Sequence, residues 1–249
     1  LATPRIAMRA AFGALRAVSG LRAVSGSAST WRNHLLDFAP PLRHQYWLLR
    51  HGESEANVAG LVSCEPDETS GFLHGLTPAG RAAAAGAATL LLADCAHRRI
   101  RFVSSDFLRA AETAEIAHAA IEEHCRNGRI SVSAVEFDTR LRERSFGKFN
   151  LGPDSIYGEV WAADAGAGRG EHAPRAFLDT NGVEAAESVQ DRASALVRDL
   201  ERETKPTTVV LVAHGDLLQI LQTAFDTRPA GEHRQLRHLD KAELREVYI

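Results

Sequence analysis

The run Thr207-Thr208-Val209-Val210-Leu211-Val212-Ala213 constrains the fold most tightly. A continuous apolar, β-branched stretch of this length has no polar face to offer water, and it is the pattern of a strand buried on both faces of a parallel sheet. Parallel strands cannot be joined by tight hairpins; they need crossover connections, usually helices. The chain supplies them. The run ends in His214-Gly215, and Asp216 opens a helix reaching about Phe225. A second apolar run, Gln45-Tyr46-Trp47-Leu48-Leu49, stops at Arg50-His51-Gly52, with Glu53-Ser54-Glu55-Ala56-Asn57 beyond it. A third, Arg101-Phe102-Val103-Ser104-Ser105, leads into a helix from about Asp106 to Cys125 that carries Arg109 in its first turn.

Between these runs the punctuation is readable. Residues 58–76 form a long polar loop, after which Thr77 as N-cap and Pro78 at the first helical position start an Ala- and Leu-rich helix to about Asp94. A further strand is expected over Ile130 to Phe137, where alternation holds until Val135 shifts it. From Asp138 to about Gly182 the sequence is too rich in glycine for one helix and reads as an irregular insertion, about 144–185, over one face of the sheet. A helix resumes near Ala186 with Val189, Ala193, Leu196, Val197 and Leu200 on one stripe, and Lys205-Pro206 stops it. The tail from Ala242 to Ile249 alternates as an edge strand does. The expected fold class is α/β: an open, mostly parallel sheet with helices on both faces and an insertion over the carboxyl ends of the strands.

Residues 1–41 differ from the rest. They are rich in Ala, Arg and Ser, repeat Leu-Arg-Ala-Val-Ser-Gly in tandem from Leu15 and Leu21, and close on Pro40-Pro41. This is the composition of an organellar transit peptide, so a disordered leader with a mitochondrial address is expected; a leader of no address, in a cytoplasmic protein, and a plastid address are the alternatives. The folded domain is expected over 42–249. Five of the 29 basic residues and no acid fall in residues 1–36, which leaves the body with 24 basic against 32 acidic residues. Such a body is a poor general polyanion binder, so nucleic acid is not expected as a partner, and no apolar run is long enough to span a bilayer. Cys64, Cys95 and Cys125 have no paired spacing; they read as ordinary thiols, with a place in a substrate wall open to Cys64 alone.

In open α/β sheets ligands bind outside the carboxyl ends of the strands, so Arg50-His51-Gly52, Ser104-Ser105-Asp106 with Arg109, and His214-Gly215 should meet at one site. Two arginines and two histidines there make a pocket for an anion. Guanidinium forks suit phosphate oxygens, and helix N-termini add backbone N–H groups. By spacing alone Glu53, Glu55, Asp138 and Glu143 are all eligible as the acid.

Taken together these segments resemble the histidine phosphatase superfamily, which contains phosphoglycerate mutases and fructose-2,6-bisphosphatases. Arg50-His51-Gly52-Glu53-Ser54-Glu55-Ala56-Asn57 is similar to its signature and Leu76-Thr77-Pro78-Ala79-Gly80 to the helix start that follows. The segment from Ser104 to Ala114, Leu141-Arg142-Glu143-Arg144-Ser145-Phe146-Gly147, Glu187-Ser188 and Ala213-His214-Gly215 complete the pattern over about residues 45–249. The resemblance implies that His51 attacks phosphorus as a neutral imidazole and forms a phosphohistidine. It further implies that Arg50, Arg109 and His214 hold the phosphoryl oxygens, with Asn57 as another donor. It selects Glu143 as the acid that protonates the leaving oxygen and later activates water. No metal or other cofactor is implied.

The same resemblance divides two activities. Mutases carry an aromatic residue before the Asn57 position and a Gly-Trp element before the helix start, whereas this chain has Ala56 and a tryptophan-free loop. A phosphomonoester hydrolase acting on a small phosphorylated metabolite such as a phosphosugar is therefore expected. A phosphoglycerate mutase-type isomerase is the alternative, and an inactive scaffold or binding protein is a third class. Lys148, Arg169, His172 and Arg175 of the insertion are eligible to bind a second phosphate, or to lie solvated on the surface. His74 stands where many relatives have an acid. His118, His124, His233 and His238 have no ligand spacing and read as surface residues.

Overall fold

The computed structural model describes residues 42–125 and 130–248. The expected leader, residues 1–41, lies outside them. The sheet is built from β1 (Gln45–Arg50), β2 (Arg99–Ser104), β3 (Ser131–Val132), β4 (Glu136–Phe137), β5 (Thr208–Ala213) and β6 (Leu244–Val247). Their order is β3-β2-β5-β1-β6, with β4 also pairing to β2. Every pairing is parallel except β1 with β6, the antiparallel edge formed by the tail.

The period of two sorts the side chains of the central strands. Tyr46, Leu48, Val209 and Leu211 pack on one face against α6 (Ala186–Glu201) and α7 (Gly215–Phe225). Trp47, Leu49, Val210 and Val212 point the other way, against α2 (Pro78–Asp94) and α3 (Leu108–His124). Every residue of β5 is buried, as its uninterrupted apolar sequence requires. Each fully buried Val or Leu there stabilises the fold by about 1.5–3 kcal/mol, so the register that places these side chains is strongly held.

Two expectations need correction. The strand over 130–137 is broken into the two-residue β3 and β4, both on β2. The break falls where Val135 interrupts the alternation, and the pieces lie at the sheet's edge, where short strands limit unwanted pairing. The insertion is not irregular throughout. It holds α4 (Tyr157–Gly168) and α5 (His172–Asn181), preceded by short 3-10 turns at Gly147–Phe149 and Asp154–Ile156. One of its glycines serves the packing: a Cβ on Gly166 would lie 2.6 Å from Pro174 Cγ, so that glycine lets α5 approach α4. Gly170, at φ 82°, turns the chain between the two helices. Phe146, Val160 and Leu178 of the insertion form a small core together with Val62 of the preceding loop. A short helix not expected from the sequence, α1 (Glu55–Ala59), follows the signature, runs into the start of the 58–76 loop and is fixed by a capping box between Ser54 and Asn57.

Candidate active site

The carboxyl ends of β1 and β5 and the start of α3 open on a cavity of about 210 Å³. Arg50, His51, Arg109 and Gly215 line its floor, and Asn57, Ser63 and Glu143 its sides. The insertion supplies the remaining wall through Asp154, Tyr157 and Trp161.

His51 leaves β1 at its last turn and is almost wholly buried. Its Nδ1 donates to the carbonyl oxygen of Gly52 at 2.7 Å, which leaves the Nε2 lone pair free of a proton. Arg109 Nε donates to that Nε2 at 3.2 Å. Burial first, then the charges of Arg109 and Arg50, hold the imidazole pKa well below its usual value, so the ring is neutral. A neutral imidazole with a directed lone pair beside two guanidinium groups is poised as a nucleophile toward an anion.

The loop around His51 is held by close backbone contacts. A Cβ on Gly52 would meet Gly80 O at 2.5 Å, and one on Gly80 would meet Glu53 O at 2.1 Å, so the first turn of α2 rests directly on the His51 loop. Gly52 N donates to Thr113 Oγ1 on α3 at 3.1 Å. Arg109 is anchored through Nη2 to Ser63 O at 2.8 Å. Arg50 reaches His238 Nε2 at 2.7 Å and Leu239 O at 2.8 Å through one Nη1. Its guanidinium lies over Gly215, where a Cβ would sit 3.1 Å from Cζ; this close approach is what the His214-Gly215 pair permits.

His214 is fully buried behind the floor, its ring centroid 5.3 Å from that of His51. Nε2 lies 2.9 Å from Ser105 Oγ, while Nδ1 has no partner among the described residues. Arg50 Nε is likewise buried and unpartnered. An unsatisfied buried polar group costs about 1–3 kcal/mol, and such groups are tolerated where a ligand completes them.

Glu143 sits between the floor and the insertion, and its Oε1 accepts from the backbone N–H groups of Arg144 and Leu217 at 3.0 and 3.2 Å. Burial, reinforced by the nearby Asp216 carboxylate, raises its pKa against the opposing charge of Arg109. Its three rivals are otherwise engaged or remote. Glu53 pairs with Lys241 and Thr77, Asp138 pairs with Arg140, and Glu55 is exposed in the first turn of α1. Asn57 lines the cavity, but its Oδ1 is committed to the backbone N of Ser54, which leaves the amide NH2 as its donor.

Several side chains of the site escaped sequence reading. His238, expected on the surface, lines the cavity and contacts Arg50; His233, also expected there, is fully buried with Nε2 3.5 Å from Asp216 Oδ1. Both partnerships are long-range or internal to the tail, and no spacing announces them. His118 is half-buried against Phe102 and His124 is exposed. Burial would raise the Asp216 carboxyl, but His233 and Arg144 overrule it and keep it ionised. Arg144, with no exposed surface, makes a forked pair with Asp164 at 2.6 and 2.7 Å. Asp216 also accepts from Trp161 Nε1 at 2.8 Å, so this buried network ties α7 to the insertion. Cys64 takes no part in the wall: its Sγ accepts from Phe146 N at 3.3 Å, and burial pushes the thiol pKa up to about 12. His74 lies against Ser63 Oγ at 3.2 Å, one step from Arg109.

Lys148, Arg169, His172 and Arg175 do not line the cavity. Lys148 donates to Thr180 O at 2.9 Å, Arg169 pairs with Glu171, and Arg175 with Asp179 and Glu187.

An open α/β sheet with a cationic, histidine-floored cavity at its strand ends, together with the family match that follows, places the chain among enzymes of phosphatase or mutase type. It belongs to the histidine phosphatase superfamily (branch 1), whose family model matches residues 46–249. Among solved structures, it is similar to mycobacterial glucosyl-3-phosphoglycerate phosphatase in complex with VO3, at 28% identity over 82% of this chain and 92% of that one, with a TM-score of 0.59. A protein described as mycobacterial hydrolase 1 is 27% identical over 82% of this chain and 89% of that one, TM-score 0.59. YhfR of Bacillus stearothermophilus is 25% identical over 82% and 90% of the two chains, TM-score 0.58. A search of the curated proteins gave no match.

Proposed function

We propose that this chain is a phosphomonoester hydrolase that acts through a phosphohistidine at His51 on a small phosphorylated metabolite such as a phosphosugar. One observation carries the reading: the bond from His51 Nδ1 to Gly52 O fixes the tautomer whose Nε2 lone pair lies on the cavity floor beside Arg109. Nε2 attacks phosphorus in line as the bond from phosphorus to the ester oxygen breaks. Arg50, Arg109, Asn57 and the unpartnered Nδ1–H of His214 stabilise the charge that spreads over the phosphoryl oxygens. Glu143, whose pKa burial raises, gives its proton to the leaving oxygen. In the second half Glu143 takes a proton from water, the water oxygen attacks phosphorus, and the bond to Nε2 breaks to release phosphate.

The small cavity supports a small ester. The absence of the insertion's cations from its lining weighs against the mutase alternative, which needs a second anion site, and the assembled nucleophile and acid weigh against a scaffold. The test is a panel of phosphate esters, including 3-phosphoglycerate with its bisphosphate cofactor, offered to wild type and His51→Ala. Phosphate release lost in the variant fits the proposal; isomerisation without net release would replace it with the mutase. For the leader, a mitochondrial address remains our proposal from composition, tested by import of a reporter carrying residues 1–41.

A further inference from the structure

Charge divides the cavity into two halves. Its cationic lining residues are Arg50 and Arg109, both on the floor, where a phosphoryl dianion would use them up. The remaining carboxyl groups of the lining are Glu143, the proton donor of the proposed step, Asp216 and Asp154. His238 adds no charge near neutrality, because burial and then Arg50 lower its pKa to about 4. Asp216 is already paired with Arg144, at 3.2 Å, and accepts from Trp161 Nε1. Asp154 is different. It stands at the start of the turn leading into α4, held by its backbone N donating to Gly60 O at 2.9 Å and by the bridge between Leu61 and Pro153. Its carboxylate is exposed, lines the cavity, and has no cation or donor beside it among the described residues.

The wall next to it is rigid and polar at its edge. Trp161 is clamped between the Tyr157 ring, stacked at 5.4 Å and 8°, and the Arg234 guanidinium 3.7 Å from its centroid, with its Nε1 fixed on Asp216. Arg234 is turned to Gln219 and does not line the cavity. The Tyr157 hydroxyl has no hydrogen-bond partner among the described residues, so it is available to a group bound in the cavity.

We propose that the site selects its substrate by the charge of the leaving group: it takes esters of hydroxyl-bearing alcohols with no second anionic group, and Asp154 is the residue that rejects a carboxylate or second phosphate. This rests on the phosphatase reading above. A neutral polyol gives hydroxyl donors to Asp154 and accepts from Tyr157, whereas a second anion meets an unpaired carboxylate with the floor cations already engaged.

The matched pair that tests it is glycerol 3-phosphate against 3-phosphoglycerate, which differ in CH2OH against a carboxylate. With wild type, kcat/KM for glycerol 3-phosphate should exceed that for 3-phosphoglycerate by about tenfold or more, in line with the cost of like charges in an interface. Where turnover is slow, the same ratio is read from inhibition constants against p-nitrophenyl phosphate. Asp154→Asn should narrow the ratio, Asp154→Lys should narrow it further or invert it, and Asp154→Glu should preserve it. Lys148→Ala, outside the cavity, should leave it unchanged. A wild-type ratio of one or less, or a ratio that Asp154→Lys does not move, would overturn the charge rule while p-nitrophenyl phosphate turnover left the phosphatase reading standing. Loss of p-nitrophenyl phosphate turnover in wild type itself would overturn that reading first.

Discussion

At the scale of single residues, the site works by burying groups that would rather be solvated and then deciding their protonation through neighbours. Burial and the charges of Arg109 and Arg50 push the His51 pKa well below its usual value, whereas burial beside Asp216 raises that of Glu143. The two shifts run in opposite directions and suit opposite roles, nucleophile and acid. Glu143→Gln should therefore slow hydrolysis of alkyl phosphates by about 10²–10⁴, the usual contribution of general acid–base catalysis. An aryl phosphate, whose leaving oxygen needs no proton, should be slowed far less in its phosphorylation step. Equal slowing of that step for both esters, measured by single-turnover kinetics, would remove Glu143 from the acid's role.

Among elements, function depends on close backbone contacts at glycines. The first turn of α2 presses on the loop that carries His51, and Gly80 is where they meet. Gly80→Ala would drive a methyl group to 2.1 Å from Glu53 O, backbone that cannot swing aside. The expected outcome is a loss of about 1–3 kcal/mol in unfolding free energy, typical of overpacking, with a fall in kcat because the His51 loop is displaced. Denaturant titration and steady-state kinetics on the same variant check both. Sequence reading found the elements that periodicity dictates: β1, β5, α6 and α7 stand where their apolar runs place them. It missed α4 and α5 because glycines within and between them and Pro174 in α5 lower helix propensity, and the packing of Gly166 against Pro174 is visible only in the folded pair. At the site, Arg50, His51, Arg109 and Glu143 were legible because each adjoins a strand end or lies in a recognisable segment. His238, Trp161 and Asp216 were not, because their roles come from contacts between segments far apart in the chain.

For the whole molecule, the buried site makes stability depend on pH. His51 and His214 have folded pKa values well below the ordinary 6.5, in both cases chiefly through burial and then Arg109. Below 6.5 the unfolded chain binds protons at both positions and the folded chain does not, so stability must fall as pH drops through that value. Glu143 acts in the opposite sense: its folded pKa is raised above 4.5, so above that pH it favours the unfolded chain as pH rises. The two histidines therefore lower the midpoint of urea denaturation on going from above to below pH 6.5, with Glu143 opposing them in the range above 4.5. His214→Gln, which cannot titrate, should flatten that decrease; an unchanged slope would mean that the ring has the same pKa folded as unfolded. The sheet and helices that bury these groups thus link the proposed nucleophile to the acid sensitivity of the fold.

The account stands or falls on the covalent step. Mixing the enzyme with a phosphate ester it turns over, quenching in alkali, where phosphohistidine survives, and mapping the phosphoryl group by mass spectrometry tests this step directly. The group should sit on His51, attached at Nε2, and should be missing from His51→Ala. Phosphate release that continues with no adduct in the quenched enzyme, or an adduct on a different residue, would contradict it.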